Sequence, residues 1–141
     1  LSFEGESGPY IQYAVVRANN IFAKLQEREG LTEAQVIAQV ADLDAAAIER
    51  GDDGDELWAL VLEAARLDEV IDTSVRSLEL SVLAKFAFGL AQAFNGFYHR
   101  QPILREERAD ARLWRAAGVA YARRQLARAL DLMGCTVPTR M

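Results

Sequence analysis

Apolar positions recur at three-and-four spacing along almost the whole chain, the period of a helix buried on one face. From about Pro9, a residue favoured in a first helical turn, Ile11, Ala14, Val15, Ala18, Ile21, Phe22 and Leu25 predict a helix to about Glu29, stopped by Gly30. Thr32 and Gln35 have the spacing of a capping box and open a shorter helix through Val40. Asp53 and Glu56 repeat that arrangement for a helix from about Gly54 to Val75, after a loop over 50–54. A long helix from about Leu78 to Tyr98, N-capped by Ser77, would turn Leu80, Leu83, Ala84, Ala87, Leu90, Ala91 and Phe94 inward. After Pro102 a last helix runs from Asp110 towards Gly134, roughly 37 Å at 1.5 Å per residue, with a left-handed stop at Gly134 and Pro138 beyond it. No alternating stretch is long enough for a sheet. The pattern predicts an all-α fold, a helical bundle of about four to six helices.

Length fits this picture without enlarging it. At 141 residues and 51% hydrophobic, the chain can bury one core, so 1–141 reads as a single domain. The longest uncharged run, 86–99 with His99 neutral, is 14 residues, short of the roughly 20 that cross a bilayer, and no membrane partner is expected. Cys135 is the only cysteine, which permits no internal disulfide and no thiolate cluster; a cytoplasmic location is the expectation. The opening Leu1-Ser2-Phe3, with neither a methionine nor a signal pattern, suggests a piece of a longer protein.

Charge changes the picture more. The net value of −5 hides a split: residues 1–79 carry 17 acidic and 6 basic side chains, residues 80–141 carry 4 and 10. Phosphate attraction acts within a Debye length of about 8–10 Å, so a polyanion would meet the basic half as a separate surface. On a regular last helix, Arg108, Arg112, Arg115 and Arg123 fall within an arc of about 80°, with Leu113, Trp114, Ala117, Ala120 and Tyr121 on another face. Beyond Arg123, Leu126, Leu130 and Met133 come round to the arginine side, so a change of buried face is expected, with a bend at Gly118. Two readings fit this stripe. It is a solvated face paired locally to Glu106, Glu107 and Asp110, or it grips phosphates. Phe94, Phe97 and Tyr98 stand just before His99 and Arg100, and cations beside flat side chains suit single-stranded RNA. Phe94 reads as core and Tyr98 as the exposed platform.

Other features stay with structure. Gly5-Glu6-Ser7-Gly8 lacks the lysine and hydroxyl of a phosphate loop and reads as a turn. Asp52, Asp53, Asp55 and Glu56 do not have calcium-loop spacing and suit a helix N-terminus. His99 has no nucleophile arranged with it, so no catalytic residue, metal or cofactor is expected. Trp58 and Trp114 read as core anchors.

Three ordered motifs give this pattern a family. Phe3-Glu4-Gly5-Glu6-Ser7-Gly8-Pro9-Tyr10-Ile11-Gln12-Tyr13-Ala14 resembles the segment F-E-G-D-T-G-P-Y-L-Q-Y-A of arginyl-tRNA synthetases, and Arg17 matches the arginine that follows. Leu90-Ala91-Gln92-Ala93-Phe94-Asn95-Gly96-Phe97-Tyr98 is similar to their L-A-x-x-F-N-x-F-Y, and Leu130-Asp131-Leu132-Met133-Gly134 with Pro138-Thr139-Arg140-Met141 to their L-x-L-L-G and P-E-R-M. The chain departs from the pattern at Val15-Val16, Ala129 and Thr139.

The resemblance is to the all-helical C-terminal anticodon-binding domain, the DALR type, over nearly the whole chain. It implies a bundle that grips the anticodon stem and loop of arginine tRNA and reads a cytosine at the middle anticodon position. Residues 1–9 would be the tail of an upstream catalytic domain, the second expected partner. That domain would use the ATP and Mg of the reaction, since the class I signatures are absent here and this chain alone would not charge tRNA. Carried over residue by residue, the RNA contacts are Tyr13, Arg17, Tyr98, Arg115 and Met141, joined by Arg112 and Arg123 of the stripe. Arginines would take phosphates or a base edge, and Tyr98 would stack. The alternative is a helical protein-interaction or tRNA-binding module separate from any synthetase.

Overall fold

The periodic segments fold into α1 (Ser7–Glu29), α2 (Glu33–Ala41), α3 (Asp52–Ala65), α4 (Leu67–Ser77), α5 (Leu80–Arg100) and α6 (Ala109–Leu132), with a short 3-10 turn at Ala45–Ala47. The computed structural model describes residues 7–47 and 52–141, and no strand occurs among them. The expected turn at Gly5-Glu6, most of the presumed upstream tail, the 50–51 part of the loop and the capping side chains of Asp52 and Asp53 lie outside the described residues.

Helix ends follow local chemistry. Gly30 and Gly134 both adopt positive φ, 67° and 74°, where a Cβ is penalised. At the latter, Cys135 N–H donates to the Leu130 carbonyl at 2.8 Å and Gly134 N–H to that of Asp131 at 3.0 Å, which closes α6 in a Schellman turn. The capping box forms: Thr32 Oγ1 accepts from Gln35 N–H at 3.3 Å, and Thr32 N–H donates to Gln35 Oε1 at 2.8 Å.

Two expectations are corrected here. The single helix foreseen over 54–75 breaks at Arg66, which Glu63 holds at 3.0 Å. The Ala64 carbonyl beside that break accepts from the buried Gln125 amide of α6 at 2.9 Å. Ser77 does not cap α5: it ends α4, its hydroxyl donating back to the Thr73 carbonyl at 2.9 Å. The chain reverses through Leu78 at φ 57°, so α5 starts at Leu80, and Leu80 is 56% exposed rather than part of the inner face. Leu83, Ala84, Ala87, Leu90, Ala91 and Phe94 are buried as expected.

The last helix occupies the middle. α6 packs against α1, α2, α3 and α5, and Ala116, Val119, Ala120, Ala122, Leu126, Ala129 and Leu130 are buried around it. Small side chains let four neighbours approach closely. Gly118 serves that approach rather than a bend: α6 is continuous through it, and a Cβ there would stand 2.4 Å from Leu57 Cδ1 of α3. The tryptophans are not core anchors, because an indole this large is left at the α3–α6 edge. Trp58 is 44% exposed, and Trp114 is half-buried beside it in an apolar cleft of about 180 Å³.

Candidate nucleic-acid interface

α1 and α5 pack together, and their contact sets a small polar cluster at the surface. Tyr13 and Arg17 are one turn apart on α1; Asn95 and Tyr98 are one turn apart on α5. The Arg17 guanidinium lies over both phenol rings, 4.7 Å from the centre of Tyr13 and 4.8 Å from that of Tyr98. It donates to Asn95 Oδ1 at 2.9 Å and to the Tyr13 hydroxyl at 3.0 Å. Two hydrogen bonds leave part of its five-donor inventory for a ligand. Asn95 is 9% exposed, so a buried amide fixes the group before any ligand arrives.

The C-terminal segment completes the cluster. Gln12 Nε2 donates to the Thr136 carbonyl at 2.6 Å and Val137 packs on the core, which leads the chain back along α1. Met141 thereby lines one cavity, of about 210 Å³, with Tyr13, Arg17, Asn20, Lys24 and Tyr98. No Asp or Glu side chain lines it. Its rim is cationic, its walls include two flat rings, and its hydrogen-bonding side chains are mainly donors: it suits a flat, acceptor-rich ligand attached to an anion.

The arginine stripe has another fate. Arg115 is 5% exposed, and its guanidinium donates to the Pro102 carbonyl at 2.7 Å and to Glu106 Oε2 at 2.9 Å. Arg112 pairs with Glu29 at 3.3 Å and donates to the Glu106 carbonyl at 2.9 Å. Arg123 pairs with Glu33, donates to Asn19 at 3.1 Å and lies 5.6 Å from the Phe22 ring centre. Arg108 meets Glu106 at 3.6 Å. The exposed stripe is therefore corrected to a set of clamps, because α6 is central and acids of α1, α2 and the α5–α6 loop reach it.

Those clamps shape the segment between α5 and α6. Arg112 and Arg115 hold it from α6, and Arg28 of α1 reaches the Leu104 carbonyl at 3.4 Å. The Arg108 backbone N–H, donated at 3.1 Å, keeps the Glu106 carboxyl below the usual carboxylate range; the charges of Arg115 and Arg108 add to this against the opposing effect of burial.

The charge split resolves in the same way. Arg100–Glu56, Arg112–Glu29, Arg123–Glu33 and Arg128–Asp68 each join the basic half to the acidic half. Much of it is complementarity within the fold.

Of the seven residues expected to touch RNA, Tyr13, Arg17, Tyr98 and Met141 share one cavity, while Arg112, Arg115 and Arg123 are engaged elsewhere. Sequence reasoning missed Asn95 and Lys24. Asn95 had a signal, one of only two amides, with Gln92, in the uncharged run 86–99. Lys24 had one too: Tyr13, Arg17, Asn20 and Lys24 are spaced four, three and four apart, which places them on one face of α1. Among the described residues no group of three or more His, Cys, Asp or Glu could hold a metal ion. No helix among them is long and apolar enough to cross a membrane.

Comparison with known proteins meets this geometry from outside. A family model for the DALR anticodon binding domain matches residues 11–141. The chain is 36% identical over 141 residues to an arginine-tRNA ligase of Methanosarcina barkeri, covering 100% of this chain and 23% of that protein. It is 31% identical over 142 residues to one of Lactococcus lactis, covering 100% and 22%. It thus spans about a quarter of the length of the curated relatives it matches. A solved arginyl-tRNA synthetase structure from Campylobacter jejuni shares the fold, with a TM-score of 0.73 at 21% identity over 96% of this chain and 26% of that one.

Proposed function

The chain belongs to the DALR anticodon-binding domain family, and from that premise we propose that it grips the anticodon stem and loop of arginine tRNA as the recognition part of an arginine-tRNA ligase. The catalytic domain of such an enzyme, with its ATP and Mg, is the second partner, and aminoacylation lies outside this chain. One observation carries the reading: the Arg17 guanidinium, stacked over Tyr13 and Tyr98 and fixed by Asn95, opens on a cavity lined by no Asp or Glu side chain. A splayed base stacks on the exposed aromatic surface, a contribution of about 1–3 kcal/mol. The remaining Arg17 donors meet the carbonyl and ring-nitrogen acceptors of a cytosine, and Met141 covers the apolar side. Arg112 and Arg115 act as positioning residues in this scheme, since they hold the α5–α6 segment whose Leu104 lines the cavity, while Arg123 ties α6 to α1 and α2 away from it.

The test is a titration of the chain with the anticodon stem-loop of an arginine tRNA, by fluorescence anisotropy over a range of salt. Affinity is expected to fall with salt at a log–log slope of roughly 0.7–0.9 per neutralised phosphate. Replacing the middle anticodon cytosine by another base should weaken binding. Equal affinity for both RNAs would remove base reading, and no binding would remove the proposal.

A protein-docking role also has an observation behind it. Val75, Leu78 and Leu80 are 66%, 91% and 56% exposed around the α4–α5 turn, an apolar surface distinct from the residues of the RNA-facing cavity. Self-association of the chain without RNA binding would favour this reading.

A further inference from the structure

Tyr98 lines two cavities, and only one has been given a ligand. The second, of about 350 Å³, lies between α1, the end of α5 and the start of the α5–α6 segment, and is lined among others by Lys24, Tyr98, His99, Pro102, Leu104 and Arg105. Ile21, Lys24, Tyr98 and Leu104 belong to both cavities. The two are neighbours, and Tyr98 and Lys24 stand at their shared boundary.

The second cavity has the chemistry of the first. No carboxylate lines it. Lys24 and Arg105 are exposed and form no ion pair among the described residues, in contrast to the clamped arginines of α6. His99 offers a flat ring set edge-on to Tyr98, with ring centres 5.6 Å apart and planes at 72°. The outer wall is held in place, since Arg115 binds the Pro102 carbonyl and Arg28 that of Leu104. A single strand alternates bases with phosphates, so two adjoining base-sized hollows need a cation between them. Lys24 occupies that position.

We propose that the site takes two successive nucleotides of a single-stranded loop, one base against Tyr13, Arg17 and Tyr98, its neighbour against His99 and Pro102. Lys24 neutralises the phosphate that joins them, and Arg105 the phosphate on the outer side of the second. This rests on the recognition reading above and deepens it: Tyr98 divides the two bases as well as stacking on one.

The probe is the arginine anticodon stem-loop, with its loop nucleotides made abasic one at a time. It is titrated against the 141-residue chain and its Tyr13→Ala, His99→Ala and Lys24→Ala variants. All three side chains are exposed, and far-UV circular dichroism confirms that each variant folds. Two adjacent loop positions are expected to be sensitive in the parent chain, each abasic change costing roughly 5- to 150-fold in affinity. Tyr13→Ala should abolish the sensitivity of one position and His99→Ala that of its neighbour. Lys24→Ala should lower the salt slope by about 0.7. If the parent chain does not bind the stem-loop, the recognition reading fails and this inference with it. If it binds, three results overturn the two-nucleotide site alone: a single sensitive position, both variants silencing the same position, or an unchanged slope for Lys24→Ala.

Discussion

Two groups of cations illustrate opposite uses of positive charge in one small bundle. On α6, Arg112, Arg115 and Arg123 reach acids that belong to other elements, and their side chains are 22%, 5% and 24% exposed. At the α1–α5 corner, Arg17 is held by a neutral amide and two phenols, and Lys24 stands exposed beside it. The first group has its charge answered inside the fold, whereas the second is oriented without being neutralised. Only a cation of the second kind keeps its full attraction for an incoming phosphate, because a carboxylate already in place would have to be displaced first. A basic residue's count therefore says less about polyanion binding than the identity of the group that holds it.

The largest effect that could break this contrast is expected at Arg115. Removing one partner of a buried ion pair costs about 3–5 kcal/mol, and Arg115→Ala would also leave the Pro102 carbonyl without this donor. Urea denaturation should show a loss as large as that of Leu90→Ala, about 2–5 kcal/mol for a fully buried leucine. A stable Arg115→Ala chain that had lost only RNA affinity would return Arg115 to the interface.

Glu106 makes the same point through pH. Its folded pKa lies below the ordinary carboxylate value of about 4.3, so its ionised form stabilises the fold above that value and the contribution is lost as pH falls through the folded pKa. Glu106→Gln should lower the urea midpoint near neutral pH. The gap from the parent chain should close as the pH falls beneath the ordinary carboxylate value and on through the lowered one of Glu106. A gap that stays constant with pH would mean that the charge of Glu106 contributes nothing and its shape everything.

At the corner the expected signature is reversed. Tyr98→Ala should weaken binding of the arginine stem-loop by about 1–3 kcal/mol, the contribution of one stacked base, measured by anisotropy at fixed salt. Its stability should change less than that of Arg115→Ala, since Tyr98 is 37% exposed. Equal RNA affinity in the two chains would show that the ring only supports Arg17.

Local signals and distant ones were unequally legible. Helix ends at Gly30 and Gly134 and the Thr32 box were written in consecutive residues, because a cap is satisfied within one turn. The break at Arg66 was not, since the helical period runs through it and part of its support comes from Gln125 on α6. The α6 stripe misled for the same reason. Of the nearby acids, Glu106 does hold Arg108 and Arg115, but the partners of Arg112 and Arg123 are Glu29 and Glu33, far off in sequence, which the end of α1 and α2 bring to them. The corner could be read only from motifs on two helices, and Lys24 from the face it shares with Tyr13 and Arg17.

The smallest expected effect joins the legible part of the molecule to the illegible one. Thr32 caps α2, and the next residue, Glu33, is the acid that holds Arg123. Thr32→Ala removes the side-chain acceptor of Gln35 N–H, a loss typically of about 1 kcal/mol, and should appear as a lowered urea midpoint with an unchanged slope. If the cap also positions Glu33, then Arg123→Ala should cost less in a Thr32→Ala chain than in the parent, because the pair is already loosened; strict additivity would make the cap and the clamp independent. RNA affinity should stay unchanged in the single and the double variant. A cation answered within the fold can be weakened in this way while the corner that stands open to a ligand is left alone.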